Sequence, residues 1–165
     1  MDFAVVNTPI GALHFTQEDD FITEIKYAGK YVAEVPPQTA LLKEAVKQVN
    51  SYFLGELKEF TLPLNPKVTP YRKKVLEQLA KVPYAATVTY RDLAVATGNA
   101  KAVRAVGSAM RTNPIILAIP CHRVLKSDGS MGNYSAGGPS NKDWLLTFEK
   151  QNTVPFIPLF LFGQK

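Results

Sequence analysis

The run Ile115-Ile116-Leu117-Ala118-Ile119 is apolar, short and rich in β-branched residues, and Pro120 stops it. Such a run predicts a buried strand, and a chain of 165 residues has to build its core around it. Directly after the proline come Cys121, His122, Arg123 and Val124, and Cys121 is the one cysteine of the sequence. A lone cysteine in an apolar strand is ordinarily packing. One set just past a strand end, beside an imidazole and a guanidinium, sits where a thiolate can be stabilised and reached. The rest of the sequence has to decide between the two.

With 46% apolar and 20% charged residues, the chain has a globular balance. One cysteine excludes an internal disulfide framework. The two histidines, His14 and His122, lie far apart, so no metal site is expected. Nothing at the N-terminus resembles a signal peptide, and no stretch approaches the roughly 20 apolar residues of a membrane span. The expectation is a cytosolic, reducing location, nucleoid-associated if the source is bacterial, with no membrane partner. The formal charge is +5. Between Tyr71 and Arg123 the basic residues are Arg72, Lys73, Lys74, Lys81, Arg91, Lys101, Arg104, Arg111 and Arg123, against only Glu77 and Asp92. The positive field therefore surrounds the cysteine and suits a polyanion.

Residues 2–27 read as a three-stranded meander, with His14 a strand residue of no chemical role. After Pro36-Pro37, Thr39 caps a helix to about Leu54 with the stripe Leu42, Val46, Val49 and Phe53, closed by Gly55. A short strand near Phe60-Thr61-Leu62 completes this half, and the proline-rich stretch Pro63–Lys67 reads as a linker. Nothing before it carries recognisable chemistry. Thr69-Pro70 opens a helix to about Lys81. Thr89-Tyr90-Arg91-Asp92 has capping-box form and starts a short helix to Thr97. A turn at Gly98-Asn99 leads to a second helix, Lys101 to Thr112, so the pair forms a helix-turn-helix.

In that second helix Ala102, Ala105, Gly107, Ser108 and Ala109 are small, while Arg104 and Arg111 project among them. Small residues allow close approach either to a neighbouring helix or to a nucleic-acid groove. In the second case Arg104 would enter the duplex, as an enzyme that extracts a base requires. Gly132–Pro139 is a glycine-rich loop. Ser140-Asn141-Lys142-Asp143 again has capping-box form and opens a helix to Glu149, with Trp144 expected in the core. The apolar tail, Pro155–Phe162, is expected to pack back on the body or to form an interface.

Pro120-Cys121-His122-Arg123-Val124 resembles the active-site signature of the O6-alkylguanine-DNA alkyltransferases, a family of suicide repair proteins. Arg104–Arg111 with Asn113-Pro114 is similar to the family's recognition helix and asparagine hinge. Thr89-Tyr90, Gly132-Asn133-Tyr134-Ser135, and Lys142 with Trp144-Leu145-Leu146 and Glu149 follow in the family's order. The first half matches loosely, at Thr8–Gly11 and Tyr52–Gly55.

The resemblance implies an α+β chain. A small ribonuclease-H-like α/β lobe, structural in role, covers residues 1–66. A helical winged-helix (helix-turn-helix) domain covers 67–150, and the tail 151–165. It further implies single-turnover transfer of an alkyl group from O6-alkylguanine, and from O4-alkylthymine, in double-stranded DNA after base flipping. Cys121 would be nucleophile and acceptor, His122 the base through a water, and Glu149 its orienter. Tyr90 would rotate the nucleotide and donate a proton, and Asn113 would support the hinge. Arg104 would be the finger, with Tyr90, Ala105 and Arg111 also on DNA. Met110, Val124, Gly132, Tyr134 and Ser135 would shape the pocket, and Arg123 would be structural. No cofactor is implied, since the damaged DNA supplies the alkyl group. The protein would act as a monomer, with cooperative arrays on DNA left open.

Three positions depart from the family pattern. Ala85 replaces a usual glycine, Ala100 a common proline, and one extra residue lies between Tyr134 and Lys142. Three rivals are weighed against this reading. A lesion-binding alkyltransferase-like protein would lack Cys121. A transcriptional regulator would leave the Cys-His-Glu set without purpose. A cysteine hydrolase would need an oxyanion hole that these residues do not suggest.

Overall fold

The computed structural model describes residues 1–153; the apolar tail expectation falls outside them. Three antiparallel strands, β1 (Asp2–Thr8), β2 (Gly11–Glu18) and β3 (Phe21–Tyr27), form a meander in the order β1-β2-β3. Ala4, Leu13, Phe15, Ile22 and Ile25 bury the inner face against helix α1 (Ala40–Phe53). Thr39 caps α1 by accepting from the Leu42 amide. The residues α1 buries are Leu42, Ala45, Val49 and Tyr52, with Gln48; Val46 and Phe53 of the expected stripe are only half-buried. The stripe is therefore rotated, and it carries a tyrosine into the interior.

The free edge of β3 joins the two halves of the chain. Ile22 donates to the Pro63 carbonyl and accepts from the Asn65 amide. Ile25 donates to the Pro114 carbonyl and accepts from the Ile116 amide. No strand forms at Phe60–Leu62. There the Gln48 side chain instead accepts from the Thr61 amide and donates to its hydroxyl. Nor do residues 115–119 form the expected strand. Ile115 makes a single bridge to Ile25, and Leu117, at φ 68°, turns the chain back. Ile115, Ile116, Leu117 and Ile119 are apolar because they are buried on every side, at no more than 3% exposure. A short apolar run cannot by itself distinguish that from a strand.

Helix α2 (Pro70–Leu79), capped by Thr69, packs against α3 (Tyr90–Ala96) and α4 (Val103–Arg111). The capping box at the start of α3 is formed as expected between Thr89 and Asp92. Val106, Ala109 and Met110 bury one face of α4, while Arg104, Ala105 and Arg111 lie on its exposed side. So Ala109 serves helix packing and Ala105 an open surface. Two-residue strands β4 (Val88–Thr89) and β5 (Val124–Leu125) pair in parallel and tie the start of α3 to the segment after the cysteine. Helix α5 (Gly138–Gln151) starts two residues before the expected capping box, and its N-cap, Gly137, offers no side-chain cap. Asn141 turns back instead and donates to the Ile10 and Ala136 carbonyls. Trp144 is 38% exposed and stacks on Phe148, so it is a surface residue rather than core. No helix among the described residues is long and apolar enough to cross a membrane.

Candidate active site

Cys121, His122 and Arg123 form a single 3-10 turn just after Pro120, and all three are buried. Asn113 fixes the approach to that turn. Its side chain accepts from the Ile115 amide at 3.0 Å and donates to the Ile119 carbonyl at 2.9 Å. One asparagine thus clasps both ends of the apolar loop between α4 and the cysteine. Cys121 opens on a cavity of about 330 Å³ lined also by Tyr90, Met110, Arg111, Tyr134 and Ser135. That volume lies at the lower end of small-ligand sites.

Gly132, at φ 72°, lies against Tyr90. A Cβ there would stand 3.0 Å from the phenol oxygen, so the absent side chain leaves room for that hydroxyl. Val124 lies just beyond the turn, on β5, and its amide bonds back to the Cys121 carbonyl. Val124 and Gly132 do not line the cavity, nor do Arg104 and Ala105, which stand on the exposed face of α4.

Behind the cysteine sits Glu149, carried by α5 and wholly buried. Its Oε2 is 2.6 Å from His122 Nε2 and accepts from the Tyr52 hydroxyl at 2.6 Å and from Arg123 Nη2 at 3.1 Å. Its Oε1 accepts from Arg123 Nε at 2.9 Å and from the Ala85 amide at 3.0 Å. Burial pushes this carboxyl up, but the bonds and charges of His122 and Arg123 together outweigh it and hold it far below the usual range. Because a carboxylate only accepts, His122 carries its hydrogen on Nε2 and presents Nδ1 as an acceptor. That Nδ1 is buried with no hydrogen-bond partner among the described residues.

Burial moves the two reacting groups in opposite senses. It pushes the Cys121 thiol up, against the opposing Asn113 side chain and Lys142 charge. It pushes His122 down, against the Glu149 hydrogen bond. Near neutral pH the resting pair is accordingly a thiol beside a neutral imidazole, not a standing thiolate. Lys142 is buried too, with its Nζ 3.5 Å from the Asn133 carbonyl and 5.8 Å from the Tyr90 ring centre. Burial brings it down to about 8, the Cys121 charge opposing. Among the described residues no cluster of His, Cys, Asp and Glu is arranged to hold a metal ion.

The sequence places Tyr52 and Lys142 only within stretches that match the family and assigns neither a role. A tyrosine on the apolar stripe of α1 is the available signal for the first, because a buried phenol needs a partner.

Comparison with known proteins agrees with this geometry. The family description "6-O-methylguanine DNA methyltransferase, DNA binding domain" matches residues 70–151, and its "ribonuclease-like domain" matches residues 1–66. The chain is 36% identical over 157 residues to a methylated-DNA--protein-cysteine methyltransferase of Methanosarcina barkeri, covering 92% of this chain and 99% of that protein. It is 35% identical over 156 residues to the constitutive enzyme of that name from Bacillus subtilis, covering 90% and 94%. The crystal structure of Mycobacterium tuberculosis OGT in complex with DNA superposes with a TM-score of 0.81 at 32% identity, covering 91% of this chain and 93% of that one. A buried cysteine at the mouth of a cavity, backed by a His–Glu pair, thus occurs in a chain matched along nearly its whole length, and the protein belongs to the 6-O-methylguanine DNA methyltransferase family.

Proposed function

We propose that this protein repairs DNA by moving the alkyl group of O6-alkylguanine in a duplex onto Sγ of its own Cys121, once per polypeptide. The observation that carries the reading is Cys121 itself. It is 3% exposed, yet it lines the cavity, and the next residue of the same turn, His122, pairs with Glu149. The names of its relatives, and the DNA complex of the similar mycobacterial protein, support duplex DNA as the partner.

The step balances as follows. His122 Nδ1, through a water, takes the thiol proton as Sγ forms a bond to the alkyl carbon. The carbon–O6 bond breaks, its electron pair goes to the guanine, and Tyr90 gives a proton to N3. The phenolate left on Tyr90 is reprotonated from solvent as the His122 imidazolium releases its proton there, so no net proton is lost. Glu149 stabilises the imidazolium formed in between. A thioether has no easy leaving group, so the acceptor stays blocked. Arg104, exposed on α4, is placed in this reading to fill the stack left by the extruded base, with Ala105 and Arg111 beside it on the duplex. Met110, Tyr134 and Ser135 border the everted base, while Gly132 and Val124 support that wall from outside the cavity. O4-alkylthymine as a further substrate, a division at 66/67 with residues 151–165 as a separate tail, monomeric action and a cytosolic location belong to the same proposal.

The test is to incubate the protein with a duplex bearing one O6-methylguanine and determine its mass. Gain of one methylene on Cys121, at one lesion per chain, is the expected result. Several lesions corrected per chain, or a label on another residue, would overturn it.

A further inference from the structure

Glu149 draws its donors from three places: the cysteine turn, the loop at Ala85, and helix α1 of the N-terminal half. The third is Tyr52, a fully buried residue 97 positions away in sequence. Its hydroxyl and His122 Nε2 meet the same oxygen, Oε2, each at 2.6 Å. Resting on the relay read above, we propose that Tyr52 is a positioning residue for alkyl transfer, its hydroxyl fixing the Glu149 oxygen that orients His122 and moderating how strongly that oxygen holds the imidazolium.

Two donors on one lone-pair face share its charge, so each weakens the other's bond. Removing the phenol oxygen leaves Oε2 to His122 and Arg123, favouring the protonated ring. Burial raises Tyr52 far above the usual phenol range, with the Glu149 charge adding to it, so it remains a donor at every working pH. The charged and titratable groups around His122 are Glu149 and Lys142 of α5, Cys121 and Arg123 of its own turn, Tyr84 of the preceding loop, and Tyr52 of α1. Only Glu149 among them favours the imidazolium; Arg123 and Lys142 oppose it. On this account the N-terminal half of the chain is part of the reaction machinery rather than a passive support.

The experiment measures single-turnover transfer from an O6-methylguanine duplex against pH for the full chain and for Tyr52→Phe, which keeps the ring. His122 is titrated by NMR in each, with His14, the other histidine of the sequence, as internal reference. Tyr52→Phe is expected to raise the His122 midpoint by about 0.5–1 pH unit and to move the acid limb of the rate profile up with it. At the wild-type midpoint transfer should slow about two- to fivefold, with DNA affinity unchanged. Site-specific 3,5-difluorotyrosine at position 52 keeps the hydroxyl and the packing but donates more strongly, and should shift both quantities downward. A lowered Tm with midpoint and profile unmoved in both variants would overturn the proposal, as would a moved midpoint without a moved profile. A His122→Gln arm separates the two levels. If it flattens the profile while both Tyr52 variants leave it unmoved, only the Tyr52 role fails. If it keeps the wild-type profile, the relay fails and this role with it.

Discussion

Glu149, behind Cys121, receives five hydrogen bonds in a fully buried site. In front of Cys121, the Tyr134 hydroxyl has no partner among the described residues, and Lys142 has one long contact to a carbonyl. Buried polar groups are normally satisfied, so the two walls differ in kind. At the rear every bond to Glu149 is made in the free protein, and His122 Nδ1 alone is left without a partner among the described residues. At the front Tyr134 lines the cavity and keeps hydrogen-bonding capacity for a group that enters it, while Lys142 stands behind Asn133, another lining residue. Deletions should therefore be costly for stability at the rear, and at the front should alter function with little loss of stability, or even with a gain.

The largest effect is expected from Glu149→Ala. It leaves the buried Arg123 guanidinium without its carboxylate and should destabilise the fold by about 3–5 kcal/mol, read by urea unfolding. The pH dependence carries the same signature. Glu149 titrates lower when folded, so its contribution is present above its ordinary value near 4.5 and is lost as pH falls below it. His122 is also lowered by burial, so the unfolded chain binds its proton first and stability already begins to decline below about 6.5. Two successive acid losses are expected in the wild type, and the lower one should shrink in Glu149→Ala to the part contributed by Glu18, Glu24 and Asp128, which also titrate lower when folded. A single unchanged loss would mean that the carboxylate is not held as described.

Arg104→Ala probes the open side and should leave unfolding unchanged within about 0.5 kcal/mol, because the residue is exposed. Repair of duplex substrate should weaken about tenfold, and the salt dependence of DNA binding should fall by about one counterion. Reaction with a free O6-alkylguanine base should barely change. Equal losses on duplex and free base would contradict a role in the stack.

Lys142→Met should reverse the sign seen at Glu149. A buried ammonium with no carboxylate beside it costs desolvation, and an apolar chain of similar length removes that cost, so stability should hold or rise by about 1 kcal/mol. Lys142 titrates at about 8 when folded and near 10.5 otherwise, so between these values the unfolded chain holds more protons. Its contribution therefore climbs with pH over that window, against the fall contributed by Cys121, which titrates higher when folded. The stability difference between wild type and Lys142→Met should accordingly shift in favour of the wild type as pH rises from about 8. A large loss of stability in Lys142→Met would place this residue with the rear wall instead.

The sequence made the helices legible where their ends are chemically marked. Thr39, Thr69-Pro70 and Thr89 with Asp92 set the starts of α1, α2 and α3. It failed where burial, not periodicity, dictates composition: residues 115–119 are apolar throughout, yet they form a loop clasped by Asn113. The capping pattern at Ser140 misled because the helix already begins at Gly138-Pro139, which puts Ser140 inside its first turn. The motif names Cys121, His122 and Glu149, and the fold brings His122, next to Cys121 in one turn, onto Glu149. Tyr52 stands in the matching stretch Tyr52–Gly55 without a role, because no local pattern reveals which oxygen a buried phenol will find.

The smallest expected effect concerns Ala85, whose amide donates to Glu149 Oε1 from a backbone at φ 62°. An alanine in the left-handed region is strained by about 1 kcal/mol or more, and glycine is not. Glycine would keep the N–H that the rear wall uses, while the unfolded chain would gain about 0.4–1 kcal/mol of conformational freedom. Ala85→Gly should therefore gain about 0.5 kcal/mol, the relieved strain slightly exceeding the added freedom. Ala85→Val should lose more than that, since a β-branched residue tolerates this conformation poorly. Thermal unfolding of the pair decides the matter. If both variants lose stability alike, the position is limited by packing against the loop, and the backbone strain assigned to the rear wall is not there.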